Sequence, residues 1–350
     1  WGRPGFPSLL KKIADAWETD SAGLTSQARQ LTERLKNELK TVSPTSVSAS
    51  VLDEAVIQFR ENFDERYGGF GSAPKFPPSA GLSLLLRCYR RTGESRTLQM
   101  VTGTLDAMAD GGIYDHIGGG FARYSTDERW LVPHFEKMLC DNALLARTYL
   151  EAYQVTKQAS YRQVTTEVID YILREMTDPA GGFYSATDAD SEGVEGKFFV
   201  WTPSEVQSVL QSAEDTRRFC ACYDITDPGN WEHRSIPNRL RPIETVVKEL
   251  NLTTDELYET ISRVRPLLYR ARQERIPPGL DDKIITAWNG MMISAMAEAG
   301  RILGVSRYID GAMKAADFLL LVHRTAEGTL LRTSRQGRAH LDGVLEGYAY

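Results

Sequence analysis

An offset of 147 positions lays this chain on itself without a gap. Asn142 falls on Asn289, Glu151 on Glu298 and Ala152 on Ala299; further on, Tyr161 falls on Tyr308, Asp170 on Asp317 and Gly181 on Gly328. Each copy reads as two apolar-periodic helices closed by a Gly turn: Phe135 to Tyr153 with Tyr161 to Met176, and Thr286 to Leu303 with Tyr308 to Val322. Ser79 to Arg91 and Leu98 to Ala109 form a third pair, ended by Gly111-Gly112-Ile113-Tyr114. A helix pair cannot bury its apolar face alone, so such units stack into an open solenoid or a closed ring. The long Gly-rich segments follow the second helix of each pair and would crowd one rim, which favours the ring. The expected fold is therefore all-α, an (α/α) toroid of helix hairpins with a polar cup. About ten or eleven helices are expected against about twelve for a full ring, the shortfall lying at Tyr350, where the chain stops within a helical pattern.

The expectation is a single, incomplete (α/α) domain over 1–350, with a flexible Ser/Thr/Pro-rich linker at 41–50. Helices are also expected at Thr25 to Lys40, Val51 to Phe63, Ile243 to Leu250 and Thr254 to Arg272, and a strand at Lys197 to Trp201. Thr202-Pro203-Ser204-Glu205 reads as a capping box opening a helix. The formal charge of −6 argues against a nucleic-acid binder. No apolar run approaches the roughly 18 residues of a membrane span. Four cysteines are too few to staple 350 residues and fit a reducing, cytoplasmic setting. Cys220-Ala221-Cys222 lacks the second pair of a zinc site.

The offset also lays His134, Phe135 and Glu136 on Asp281, Asp282 and Lys283. Each triplet is expected at the mouth of the first helix of its pair, where the dipole favours carboxylates. Gly111 to Thr126 carries Asp115, His116, Arg123 and Tyr124; Gly181 to Gly196 carries Asp188, Asp190, Glu192 and Glu195. The latter spacing lacks the ligand order of an EF-hand, so no metal site is expected. Trp130, Trp201, Trp231 and Trp288 lie beside these polar stretches, and aromatic faces next to carboxylates suit sugar rings. Each feature also has an ordinary reading, as helix capping, a satisfied buried histidine, a solvated acidic loop or a core tryptophan. No nucleophile elbow, P-loop or dinucleotide fingerprint is present.

Several stretches together resemble the thioredoxin-domain-containing protein family typified by spermatogenesis-associated protein 20. They are Gly2-Arg3-Pro4-Gly5-Phe6, GGFGSAPKFP from Gly68, the segment Gly111 to Tyr153, the segment Gly181 to Val206, Gly229-Asn230-Trp231-Glu232, and LDDKIITAWNGMMISAMAEA from Leu280. The resemblance implies a six-hairpin glycosidase-like domain downstream of a thioredoxin-like domain in a longer parent, similar to acylglucosamine and cellobiose 2-epimerase barrels. The chain departs from the family pattern at Ala122, Cys140 and Gly347, where relatives carry polar, Tyr and Asp residues.

Three readings compete. In the first, a sugar epimerase, isomerase or glycosidase-like domain uses His134, Asp281, Asp282 and His116 for acid/base work. Asp115, Arg123, Tyr124, Trp130, Glu136, Asp188, Asp190, Trp201, Trp231, Lys283, Trp288 and Asn289 would bind the saccharide, with no cofactor. In the second, a non-catalytic module binds ligands or clients for the thioredoxin-like domain. The third is a redox partner using Cys220 and Cys222.

Overall fold

The computed structural model describes residues 5–38 and 48–350. The linker expected at 41–50 therefore lies, up to residue 47, outside the described residues, as do Gly2, Arg3 and Pro4. The chain divides into two compact units, Trp1–Val51 and Leu52–Tyr350. The first contains helix α1 (Phe6–Glu38), longer than the expected Thr25 to Lys40 and kinked at Asp20, whose φ and ψ are −149° and 64°. The Asp20 carboxylate accepts from the Gly23 N–H at 2.8 Å and so starts the second segment.

After α2 (Ser50–Asn62), the second unit runs through α3 (Ser79–Thr92), α4 (Ser95–Asp110), α5 (Leu139–Thr156), α6 (Ala159–Glu175), α7 (Pro203–Leu210), α8 (Ala213–Cys222), α9 (Ile243–Leu250) and α10 (Thr254–Gln273). It ends with α11 (Thr286–Leu303), α12 (Ser306–Val322) and α13 (Leu345–Ala349). Helices α3/α4, α5/α6 and α11/α12 are antiparallel hairpins. Their first members stand side by side in the order α3, α5, α11, α13, and each second member packs on its own first. This is the helix-hairpin stacking of an (α/α) toroid. A continuous apolar core runs from Leu82 through Leu145 and Tyr149 to Met292 and Ala299. Helices α7 to α10 pack on a separate core around Phe219, Leu257 and Leu268.

The sequence repeat is structural to the residue. Shifting α5 and α6 by 147 positions reproduces the bounds of α11 and α12. Lys157 and Gly304, at equivalent positions, both close the first helix in left-handed backbone, with φ of 62° and 71°. The strands follow suit. They are β1 (Tyr124–Ser125), β2 (Pro133–His134), β3 (Lys137–Met138), β4 (Ala186–Thr187), β5 (Asp190–Ser191), β6 (Val194–Glu195), β7 (Leu280–Asp281), β8 (Ile284–Ile285), β9 (Leu331–Arg335) and β10 (Arg338–Asp342). Antiparallel pairing of Lys137 with Thr187 and Met138 with Ala186 recurs as Ile284 with Ser334 and Ile285 with Thr333.

Helices α2, α4, α6 and α12 each end in a loop closed by one antiparallel bridge: Phe63 to Phe70, Tyr114 to Phe121, Thr177 to Phe183 and Arg324 to Leu330. In the first two loops a buried lysine ties the turn. Lys75 Nζ donates to Asp64 at 2.5 Å and to the Gly68 carbonyl at 2.8 Å; Lys137 Nζ donates to Asp115 and the Gly119 carbonyl, both at 2.8 Å. Gly119 needs its missing side chain twice over. Its φ is 80°, and a Cβ would sit 2.6 Å from the Glu167 carbonyl oxygen.

Two local expectations are corrected. Phe135 to Met138 is not helical: β3 occupies its end, and its pairing with β4 holds the chain extended until Leu139. Lys197 to Trp201 is a turn, wound by Gly196 in left-handed backbone (φ 71°), whose carbonyl accepts from the N–H groups of Phe199 and Val200. Only Trp201 makes a strand-like bridge, to Ser235. The capping box at Thr202 is present, with both reciprocal hydrogen bonds to Glu205.

Candidate functional site

The strand pair β1/β2 sets Tyr124 opposite His134. Their rings stack at 5.2 Å, and Phe76 stacks on the other face of Tyr124 at 4.7 Å. Phe76 is exposed, so the row ends in one open aromatic face. His134 is two-sided. Its Nδ1 lies 2.7 Å from Glu195, delivered by the β5/β6 hairpin, and its Nε2 lies 3.7 Å from Glu136. A carboxylate only accepts, so Nδ1 carries the proton and the Nε2 lone pair is left for chemistry. Arg123 donates to Glu136 at 3.0 Å and neutralises it.

Asp141, in the first turn of α5, is near enough to Arg123 and Glu136 to feel both charges. Burial pushes its carboxyl up to about 6, with Glu136 adding to the rise against the pull of Arg123. The same burial, with Asp141 alongside, holds the Cys140 thiol up at about 12, so Cys140 is no nucleophile here. For Asp141 the sign is that of a carboxyl raised above its unfolded value: its contribution is present below the unfolded pKa and is lost as pH rises through about 6. The stability of wild type relative to Asp141→Asn is therefore expected to fall between pH 4 and pH 6 and to level off above it, as checked by urea denaturation at each pH.

Strand β4 joins this group to the equivalent stretch of the next copy, because Ala186 pairs with both Met138 and Asp281. Two strand spacings put the β3 and β7 backbones roughly 10 Å apart. Asp281 is held by Lys283 Nζ at 2.7 and 2.6 Å. Burial raises its pKa, but Lys283 and Ser185 outweigh that and leave it below the usual range. Asp282 points elsewhere, to Arg335 at 2.6 Å. Both triplets stand on short strands ahead of the helices rather than in the first turn, so the helix dipole is not what tunes them. Trp288, half-buried at the position equivalent to Asp141, lines a cavity of about 310 Å³ with Lys283, Arg332, His340 and Glu346. Asp188 and Asp190 are exposed nearby, and the Asp188 N–H donates to the Gly279 carbonyl at 2.7 Å. Among the described residues no group of three or more His, Cys, Asp or Glu is placed to hold a metal ion.

Other expected site residues are committed to the interior. His116 is 3% exposed and donates through Nε2 to the Gly111 carbonyl. Burial, reinforced by Arg239, pushes it down to about 3, so it stays neutral. Asp115 is locked between Lys137 and Arg272, each at 2.8 Å. Trp130 is fully buried over Gly69 with its indole N–H on the Tyr67 carbonyl, and Trp201 is buried with Arg275 over its ring at 3.9 Å. Trp231 is half-buried against Phe135 at 5.5 Å. Asn289 is fully buried and clamps Phe183 through both its N–H and its carbonyl. Trp130 and Trp201 offer no free platform, because both are fully buried. Phe76 and Asp141 were missed by sequence reasoning. The signal was there: Phe76 sits in the GGFGSAPKFP stretch and Asp141 one residue after Cys140.

No protein-family model matches the chain. Among curated proteins it is similar to spermatogenesis-associated protein 20 of Homo sapiens, 36% identical over 391 aligned positions that cover 99% of this chain and 50% of the relative. The Mus musculus protein of the same name is 34% identical, with 99% and 49% covered. Among solved structures it is similar to a glycoside hydrolase family 76 (mannosidase) protein of Bacteroides thetaiotaomicron, with TM-score 0.38, 16% identity, and 67% and 41% of the two chains covered. Cellobiose 2-epimerase of Bacillus thermoamylovorans gives TM-score 0.37 and 9% identity, with 84% and 94% covered. The chain spans about half the length of the curated relatives it matches.

Proposed function

We propose that the unit Leu52–Tyr350 acts on a saccharide at this rim by acid/base chemistry, as a sugar epimerase or isomerase with His134 as base. One observation carries the reading: His134 has its Nδ1 proton fixed by Glu195 and its Nε2 lone pair free, with Glu136 at 3.7 Å, and Glu136 in turn acts on the Asp141 carboxyl, which titrates near 6. Proton abstraction next to a sugar carbonyl needs such a base, and an acid that can be protonated close to neutrality to serve the carbonyl oxygen. Glu136 would stabilise the imidazolium formed when Nε2 takes the proton. The open face of Phe76 would receive the sugar ring, and Arg123, Lys283 and Trp288 would orient it. Asp281 and Asp282 are proposed as orienting groups, since both are held in ion pairs.

The test is deuterium exchange at C2 of reducing sugars in D₂O, followed by NMR. Wild type is expected to exchange at least one sugar of a panel, and His134→Ala to lose about 100-fold or more of that rate with an unchanged Tm. Sugars that raise Tm without any exchange would favour a non-catalytic binding module instead. The ion pairs that occupy Glu136, Asp281 and Asp282 support that second reading. The resemblance further supports a thioredoxin-like domain of the same parent chain as the partner of this unit. The free thiols of Cys88, Cys140, Cys220 and Cys222 fit a cytoplasmic setting. No described helix is long and apolar enough to cross a membrane.

A further inference from the structure

A cavity of about 530 Å³ lies between the second helices α4 and α6 and the group α9/α10. We propose that it binds a small organic amine, held by Asp106 and Glu244 and faced by tyrosine rings.

The charges in this cavity do not cancel. Arg239 pairs with Asp110 at 2.9 Å, Arg265 with Glu167 at 2.6 Å, and Arg241 with Glu249 outside the lining at 2.6 Å. Every lining arginine is thus matched by a carboxylate. Two lining carboxylates, Asp106 and Glu244, have no cationic partner among the described residues, and both are open to the cavity. Asp106 accepts only the Tyr161 hydroxyl, at 2.8 Å. Although open, it stands deep in a concave wall, so burial pushes its carboxyl up; Tyr161 partly offsets this and Asp110 adds to it. Asp110 is raised by burial as well, in spite of Arg239.

The free valences include one buried donor, the Arg239 Nε–H, and a buried acceptor on His116. His116 lines the cavity, is almost fully buried, and spends Nε2 on Gly111; its other ring nitrogen has no partner among the described residues. Being neutral and protonated at Nε2, the ring offers a lone pair there. Tyr114, Tyr161, Tyr223 and Tyr258 add aromatic surface suited to a cation. An anion would meet Asp106 and Glu244, and a neutral polyol would leave them uncompensated. An amine satisfies both carboxylates with charge-assisted hydrogen bonds.

The probes are putrescine and spermidine, titrated calorimetrically into the whole chain, with glucose and inorganic phosphate as controls. Saturable amine binding is expected, weakened at least tenfold in Asp106→Asn, which keeps the Tyr161 contact and removes the charge. Glu244→Gln, at an exposed position of α9, is expected to weaken it as well and does not depend on how Asp106→Asn folds. Absence of amine binding, binding that ignores both substitutions, or saturable binding of phosphate or glucose in the same cavity would overturn the proposal. The outcome is separate from the deuterium-exchange test, which reads His134 and not this cavity.

Discussion

Asp115→Ala is expected to cost about 3–5 kcal/mol of unfolding free energy, because it removes the only carboxylate from a buried triad. The side chains of Asp115, Lys137 and Arg272 are 7%, 4% and 1% exposed. Lys137 and Arg272 both lie 2.8 Å from Asp115 oxygens. Two cations share one anion, and the excess is spread over rings: Lys137 sits 4.4 Å from the centre of Tyr171, and Arg272 sits 5.0 Å from that of Phe198. Those rings account for Arg272 nitrogens that have no conventional partner. With Asp115 gone, two cations face each other out of water. The triad also ties the Gly119 loop to α10, so the loss should appear in the group α7 to α10 as well as in the hairpins. Asp115→Asn should lie between wild type and Ala, since it keeps an acceptor. Asp64→Ala, in the equivalent loop with one cation and a 19% exposed carboxylate, should cost less.

The pH dependence of this triad has a definite sign. Burial alone would raise Asp115, but Arg272 and Lys137 hold it well below the usual carboxylate range. A depressed carboxylate contributes above its unfolded pKa and loses that contribution only as pH falls through the folded value. The gap between wild type and Asp115→Ala should therefore stay constant from pH 5 to 8 in urea titrations. A gap under about 1 kcal/mol would show that the two cations relax into the aromatic rings or into water without the aspartate.

The repeat was legible because it is written in helix faces and Gly turns, which obey local rules. The helix pairs came out to within a few residues, except where β3 replaces the start of the helix expected from Phe135; short strands of two residues leave no period to read. The site was legible only in part. His134, Glu136, Arg123 and Tyr124 could be named from one stretch, and they do meet. Asp115, His116, Trp130, Trp201 and Asn289 carry the same residue types, yet the fold spends them on closing loops. Type and spacing cannot separate those cases, since a buried Asp–Lys pair and an exposed His–Glu pair look alike in one dimension. What separates them is the partner, and Arg272 and Glu195 lie far from Asp115 and His134 along the chain. The two lysine ties were equally hidden, because Asp64 with Lys75 and Asp115 with Lys137 match in space at unequal sequence separations.

Asn142→Ala and Asn289→Ala are expected to destabilise the protein by equal amounts, about 3 kcal/mol each. Asn142 is fully buried and makes three bonds: its carbonyl accepts from Phe121 N–H at 2.8 Å, and its amide donates to the carbonyls of Phe121 and Met138 at 3.0 and 2.9 Å. Asn289 repeats them on Phe183 N–H, Phe183 and Ile285 at 2.8, 2.9 and 3.1 Å. Each side chain thus satisfies backbone groups of the preceding Gly-Phe turn that no water can reach, and each fixes that turn to the start of the next hairpin. Alanine leaves those groups unpaired. Aspartate should be worse in both copies, because it keeps the acceptor for the N–H but sets a carboxylate against two carbonyl oxygens. Urea denaturation gives the energies, and hydrogen exchange at Phe121 and Phe183 locates them: each substitution should speed exchange at its own turn. If one copy were costly and the other neutral, the two hairpins would share a backbone path without sharing what holds it. Equal costs would instead make this asparagine the unit of hairpin-to-hairpin stacking, and the reason the offset of 147 positions survives in the sequence without a gap.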